Sequence, residues 1–156
     1  MKITLTPIGF VKSPRDAIMD DHWGAVISQI VLTDAFEAEA LHGLESFSHA
    51  EIIFFFDRVN DEKIVTGSRY PRGRQDWGKS GIFAQRGKNR PNKIGLTTVR
   101  ILKTDGKILH VQGLDAIDGT PVLDIKPVMR EFLPRGEVIQ PQWAGELMQD
   151  YWQKRD

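Results

Sequence analysis

Three stretches of the sequence crowd together residue types that do chemistry. The densest is Gly81 to Thr97, where Arg86 and Arg90 flank a polar loop and Arg90-Pro91-Asn92 forms a stiffened corner. A guanidinium there can fork onto a carboxylate or phosphate, or it can bond loop carbonyls and order the turn. Pro91 fixes φ and Asn92 can satisfy turn backbone through its side chain. Gly95 permits close approach of another backbone or a ligand. The second stretch, Leu114 to Pro127, carries Asp115, Asp118 and Asp124. Asp118 before Gly119 is ordinary turn chemistry. Asp124 and Lys126 share one face of a strand, where a carboxylate can hold a hydroxyl, an amine or a sulfonium charge. The third runs from Phe47 to Asp57. His49 enters a very apolar strand, where a lone histidine is more often structural than a base. Asp57 falls at the strand end, where barrels present functional groups.

The elements that must position these groups are mostly short strands. Ile3–Leu5, Ile8–Val11, Ala25–Leu32, Ala50–Asp57, Ile82–Arg86 and Leu96–Leu102 are rich in β-formers and bounded by Gly, Pro or Asp. Asp105-Gly106 turns into Lys107–Gly113, a hairpin signal. Asp118-Gly119 separates Leu114–Ile117 from Pro121–Ile125. Asp34 with Glu37 resembles a capping box, predicting a helix over Ala35–His42 that ends near Gly43. Pro141 suits a first helical turn, and Trp143, Leu147 and Tyr151 share one face to about Lys154. The pattern predicts a mainly β fold, an antiparallel barrel or sandwich, with a few short peripheral helices. The domain reading is a barrel over residues 1–140 and a C-terminal helix over 141–156.

Composition narrows the partners. The chain has 156 residues, 21 basic and 21 acidic, and no cysteine. Disulfides, thiolate zinc sites and cysteine nucleophiles are therefore excluded. The neutral total hides a segregation. Arg69 to Lys93 holds eight basic residues against the single acid Asp76, a net of +7, and leaves −7 on the remainder. A concentrated positive segment fits a local anionic partner as well as a solvated loop. No two glycines are separated by one residue, so no Rossmann fingerprint exists, and no P-loop does either. The four histidines show no metal-binding spacing, and no metal is expected. There is no G-x-S-x-G elbow. The longest apolar run, Ile52 to Phe56, is far below the ~20 residues of a membrane span. With no signal-like N-terminus, a soluble cytoplasmic protein without membrane partners is the expectation.

Three motifs, in order, carry a resemblance: Phe47-Ser48-His49 leading to Phe54 and Phe56, Gly81-Ile82-Phe83-Ala84-Gln85-Arg86 leading to Arg90-Pro91-Asn92 and Ile94-Gly95, and Leu114-Asp115 leading to Asp118-Gly119-Thr120-Pro121-Val122 and Asp124-Ile125-Lys126-Pro127. With Ile8-Gly9-Phe10-Val11-Lys12-Ser13-Pro14, the sequence resembles the TrmO family, also called YaeB-like or TsaA-like. The resemblance implies a non-Rossmann β-barrel methyltransferase that uses S-adenosylmethionine and forms homodimers with the cofactor near the interface. It implies methylation of N6 of threonylcarbamoyladenosine beside the tRNA anticodon. Carried over motif by motif, the cofactor contacts are Phe56, Asp57, Arg86, Leu96, Asp115, Ala116, Ile117 and Asp118. Many members carry P-R-Q where this sequence reads Met19-Asp20-Asp21-His22-Trp23-Gly24. Asp21 and His22 are therefore candidates to contact the cofactor differently, or the substrate differs. Longer bacterial members carry a C-terminal extension, whereas one short helix is expected here, so the resemblance bears more on cofactor binding than on tRNA specificity.

On this reading Arg69, Arg72, Arg74, Lys88, Arg90 and Lys93 meet RNA phosphates, with Asn92 in the same corner, and Trp77 or Tyr70 stacks on an unpaired base. A ureido-type N6 is a weak nucleophile, so loss of its proton needs help. His49, Asp118 and Asp124 are the candidate acceptors. A methyltransferase of a small molecule or another RNA, and a binding barrel without turnover, are the alternatives.

Overall fold

The computed structural model describes residues 1–155. Eight strands are β1 (Gly9–Lys12), β2 (Ile27–Leu32), β3 (His49–Phe55), β4 (Ser68–Arg69), β5 (Ser80–Gly81), β6 (Ile94–Asp105), β7 (Ile108–Gln112) and β8 (Pro121–Pro127). Six of them close into a barrel in the order β1-β2-β7-β6-β3-β8, every pair antiparallel. Closure leaves none of the six as a bare edge. Period-two alternation drives it. Ala50, Ile52 and Phe54 of β3, Leu109 and Val111 of β7, and Val122 of β8 all point inward and are buried. Each large side chain buried in this way stabilises the fold by roughly 1.5–3 kcal/mol. β4 and β5 form a separate two-stranded ribbon outside the barrel.

The β6–β7 hairpin turns at Gly106, whose φ of +56° suits glycine. Gly95 faces inward at the start of β6. A Cβ there would stand 2.5 Å from the Phe54 ring, so the space this glycine leaves is taken by a neighbouring side chain.

Several local expectations differ from the structure. Ile3–Leu5 pairs with no strand among the described residues and is exposed. Ile82–Arg86 is not a strand but a 3-10 turn over Ile82–Ala84, with the Ile82 N–H bonded to the Gly67 carbonyl. Leu114–Ile117 is irregular, and its buried Leu114 and Ala116 satisfy the apolar pattern without a ladder. The helix expected over Ala35–His42 is only a 3-10 turn at Ala38–Leu41. Only Leu41 of that turn is buried, too little to hold a short helix. The C-terminal helix is α1 (Gln142–Leu147), followed by turns rather than helix to Lys154. The expected C-terminal element reaches Asp156, which lies outside the described residues. Among the described residues no helix is long and apolar enough to cross a membrane.

Candidate functional site

One end of the barrel opens into a groove of about 1320 Å³. Its floor is the end of β3 (Phe54, Phe56, Asp57) against the start of β6 (Ile94 to Thr98). One wall is the loop Phe83–Asn92, another is Asp115–Ile117, and a third is the C-terminal segment. Antiparallel pairing explains the convergence: Phe55 stands opposite Ile94, and Phe54 opposite Val122, so the exit of one strand meets the entry of two others. The first and third sequence motifs therefore meet the second here although the chain separates them.

Asp115 is the most constrained carboxylate in the groove. It is half-buried, and its two oxygens accept from different hydroxyls: Oδ1 from Thr97 and Oδ2 from Tyr151. Hydrogen bonds to a charged acceptor are worth roughly 1.5–3 kcal/mol each. Burial, then the charge and hydrogen bond of Asp115, push the Tyr151 phenol well above its ordinary value. The phenol therefore stays protonated and remains a donor. Asp57, at the groove edge, is exposed and has no side-chain hydrogen bond or ion pair among the described residues. Arg86 is exposed and reaches across to the Leu96 carbonyl through Nη2 at 2.5 Å, which fixes its direction over the groove. Around these polar groups stand apolar side chains left bare: Phe83 is 77% exposed and Leu96 42%.

The neighbouring basic loop is held by Gln85. This buried amide accepts from Arg69 Nε (3.2 Å) and donates to the carbonyls of Arg69 (3.1 Å) and Ser80 (2.9 Å). The main-chain carbonyl of Gln85 accepts from Arg90 Nη1 at 2.8 Å. Arg90 thus orders a turn, one of the two roles open to it from sequence. Asn92 takes φ +62°, which asparagine tolerates better than most residues. Arg72 makes a bidentate pair with Asp21 (2.8 and 3.1 Å). Arg74 pairs with Asp76 and lies 4.2 Å over the Trp77 ring, and Lys79 lies over Tyr70. Lys93 pairs with Asp61 and donates to the Val59 carbonyl. Three of the eight cations of the basic segment thus already hold a carboxylate. Both aromatics expected to stack on a base carry a cation on the ring.

Of the residues singled out from sequence, the groove gathers Phe56, Asp57, Arg86, Leu96, Asp115, Ala116, Ile117, Arg69, Arg72, Lys88, Arg90 and Asn92. The others lie off it. Asp21 is occupied by Arg72, and His22 sits at φ +66° with Nδ1 buried and without a partner among the described residues. Asp118 Oδ1 accepts the Ser13 N–H (3.0 Å), and its carbonyl accepts from Arg58 (3.0 Å). It acts as a turn residue that ties two loops together. Asp124 shares the outer barrel face with Lys126, its ion-pair partner, opposite Ile53. His49 is exposed, bonded to Ser48, and lies at the far end of β3, roughly 20 Å of strand from Phe55. The reason is the pleat and the strand length: His49 starts the strand whose end forms the floor, and Asp124 falls on the outward half of the alternation. Arg74 also lies outside the groove lining.

Sequence reasoning missed Thr97, Phe83, Gln85 and the C-terminal residues. Trp143, Leu147 and Tyr151 share a face, and that face is the available signal. It packs on the groove rather than on a remote part of the barrel. Among the described residues no cluster of three or more histidine or carboxylate groups is arranged to hold a metal ion. As a donor set, the groove suits an organic ligand with a flat apolar part, a positive centre for the carboxylates and an anion for Arg86.

The comparisons with known proteins agree with this geometry. The chain is 36% identical over 126 residues to an S-adenosyl-L-methionine-binding protein of Archaeoglobus fulgidus, covering 78% of this chain and 86% of that protein. A second protein of the same organism, a probable S-adenosyl-L-methionine-binding protein, is 34% identical over 130 residues, covering 81% of this chain and 34% of that protein. A human tRNA (adenine(37)-N6)-methyltransferase is 39% identical over 102 residues, covering 65% of this chain and 23% of that protein. The chain therefore spans about a third of one relative and less than a quarter of another. A crystal structure of TrmO from Pseudomonas aeruginosa superposes with a TM-score of 0.74 at 28% identity, covering 92% of this chain and 62% of that one. The family model of the tRNA-methyltransferase O N-terminal domain matches residues 11–132, which takes in every barrel strand except the first two residues of β1. With residues 11–132 matched by that family model and a barrel that superposes on the TrmO structure, the chain belongs to the tRNA-methyltransferase O N-terminal domain family.

Proposed function

We propose that the groove binds S-adenosylmethionine and that the chain transfers its methyl group to N6 of threonylcarbamoyladenosine next to the tRNA anticodon. One observation carries the reading: bare apolar side chains surround two carboxylates without a partner among the described residues (Asp20 and Asp57), one clamped carboxylate (Asp115) and one oriented guanidinium (Arg86). When bound, S-adenosylmethionine supplies an electrophilic methyl carbon on a sulfonium. Asp57 and Asp115 face the positive groups of such a ligand, and Arg86 faces its carboxylate. Phe56, Leu96, Ala116 and Ile117 supply the apolar contacts. Positioning provides much of the rate. The proton leaving N6 needs an acceptor, and Asp57 and Asp20 are the groove carboxylates with no side-chain partner of their own among the described residues. Lys88 and Arg69, at the groove, meet RNA phosphate in this reading.

The test is incubation with labelled cofactor and tRNA, followed by nucleoside identification. Label is expected in the threonylcarbamoyl-modified adenosine. No label in modified or unmodified tRNA rejects the tRNA reading. The paired state of Arg72, Arg74 and Lys93 favours one alternative, a smaller methyl acceptor, which the same labelled cofactor would reveal. A homodimer and a cytoplasmic location complete the reading. The dimer is supported by the exposed Phe132, Leu133, Val138 and Ile139 on the segment after the barrel, and sedimentation checks it.

A further inference from the structure

We propose that the segment Gln142–Trp152 is a built wall of the cofactor site and that Tyr151 is a positioning residue, aiming Asp115 into the groove. This rests on the reading that the groove binds S-adenosylmethionine. Tyr151 and Thr97 come from opposite sides, one from the C-terminal segment and one from β6, and each takes a different oxygen of Asp115. A carboxylate held at both oxygens cannot rotate, so its outer lone pairs keep one direction. Without the phenol, Asp115 is tied at one oxygen only.

The segment is anchored independently of that bond. The N–H groups of His22 and Trp23 donate to the carbonyls of Asp150 (3.1 Å) and Tyr151 (2.8 Å). Gly24 makes the approach possible: a Cβ there would lie 1.9 Å from the Trp152 carbonyl oxygen, a contact no structure tolerates. Trp77 Nε1 donates to Glu146 Oε2 at 2.6 Å, which joins α1 to the basic loop. Tyr151 and Trp152 stack edge to face with centroids 4.8 Å apart. Three separate attachments thus press the apolar face of this segment onto the groove. Trp143, Leu147, Met148 and Tyr151 line it. The loop Asp20–Gly24, which departs from the family's usual P-R-Q, is where the segment docks. The same loop also lines the groove directly with Asp20 and Trp23, beside the wall it carries.

The experiment measures S-adenosylmethionine affinity by calorimetry on the full chain, with thermal melts as the fold control. Tyr151→Phe is expected to weaken binding roughly tenfold, one strong hydrogen bond to a charged acceptor. Gly24→Ala, which touches neither Asp115 nor its donors, is expected to weaken it by at least as much because the wall is displaced. The double variant Tyr151→Phe with Asp115→Asn should bind little worse than Asp115→Asn alone, since the phenol acts through that carboxylate. In turnover, KM for the cofactor should rise while kcat changes little. A purely structural role would lower the melting temperature without that non-additivity or that KM shift. If the wild type binds and both single variants bind equally well, the wall and Tyr151 play no part and the inference is overturned while the cofactor reading stands. If the wild type shows no binding, the cofactor reading fails and this inference falls with it.

Discussion

At the scale of single residues, Tyr151 and Gly95 make the clearest predictions. The Tyr151 phenol is held above its ordinary value by burial and by Asp115, against the opposing charges of Arg72 and Arg86. The folded chain therefore keeps this proton more tightly than the unfolded one, whose phenol titrates near 10.0. Its contribution to stability is complete below that pH and is lost as pH rises above it. The melting-temperature gap between wild type and Tyr151→Phe should be constant from pH 7 to 9 and should shrink or invert between pH 10 and 11. Gly95→Ala would press a methyl against the Phe54 ring. Overpacking of this kind costs about 1–3 kcal/mol, read as a lower denaturation midpoint. Because Phe54 also lines the groove, cofactor affinity should fall in the same variant. Sequence made Gly95 conspicuous but not its neighbour. The ring it admits lies 41 positions earlier and reaches it only across the β3–β6 pairing.

At the scale of elements, the hairpin and the C-terminal segment behave oppositely. The β6–β7 turn was legible because its geometry is local: Asp105-Gly106 between β-forming runs predicts it, and Gly106 has the positive φ. Gly106→Ala should cost roughly 1 kcal/mol of stability. It should leave cofactor affinity unchanged, since the turn is not part of the groove; calorimetry and a denaturant melt on one variant check both. The C-terminal face of Trp143, Leu147 and Tyr151 was equally visible, but not its partner. Amphipathicity shows that a face is buried and leaves open against what. Here the answer came from a missing side chain at Gly24 and from two backbone bonds to the loop before it. The 3-10 turn at Ile82–Ala84 failed as a strand for a related reason: Gly67 supplied one backbone acceptor and no ladder.

At the scale of the whole molecule, the balance of charge is redistributed by folding. Of the eight cations between Arg69 and Lys93, three are paired with acids from inside and outside that stretch. Five remain without a carboxylate among the described residues. The Arg74–Asp76 pair is exposed and held loosely, and the other two are partly buried, so phosphate can compete for these cations, but with less gain. RNA affinity should fall by no more than about 3.5 log units per tenfold rise in salt, roughly 0.7 for each of five phosphates neutralised. A titration from 50 to 500 mM salt checks this, and a steeper slope would mean that the paired arginines also release their acids. The sequence by itself determined a mainly β fold of short antiparallel strands, through alternation and turn residues, and the motifs that mark one end of the barrel. Those signals are local, repeating every two residues or set by a single turn. Only the tertiary structure decided which polar groups face one another. It drew Thr97, Asp115 and Tyr151 into one cluster, bound Asp118 to Ser13, and set His49 and Asp124 away from the groove. Such meetings depend on strand register and on which end of each strand opens, and neither leaves a mark in the spacing of residues along the chain.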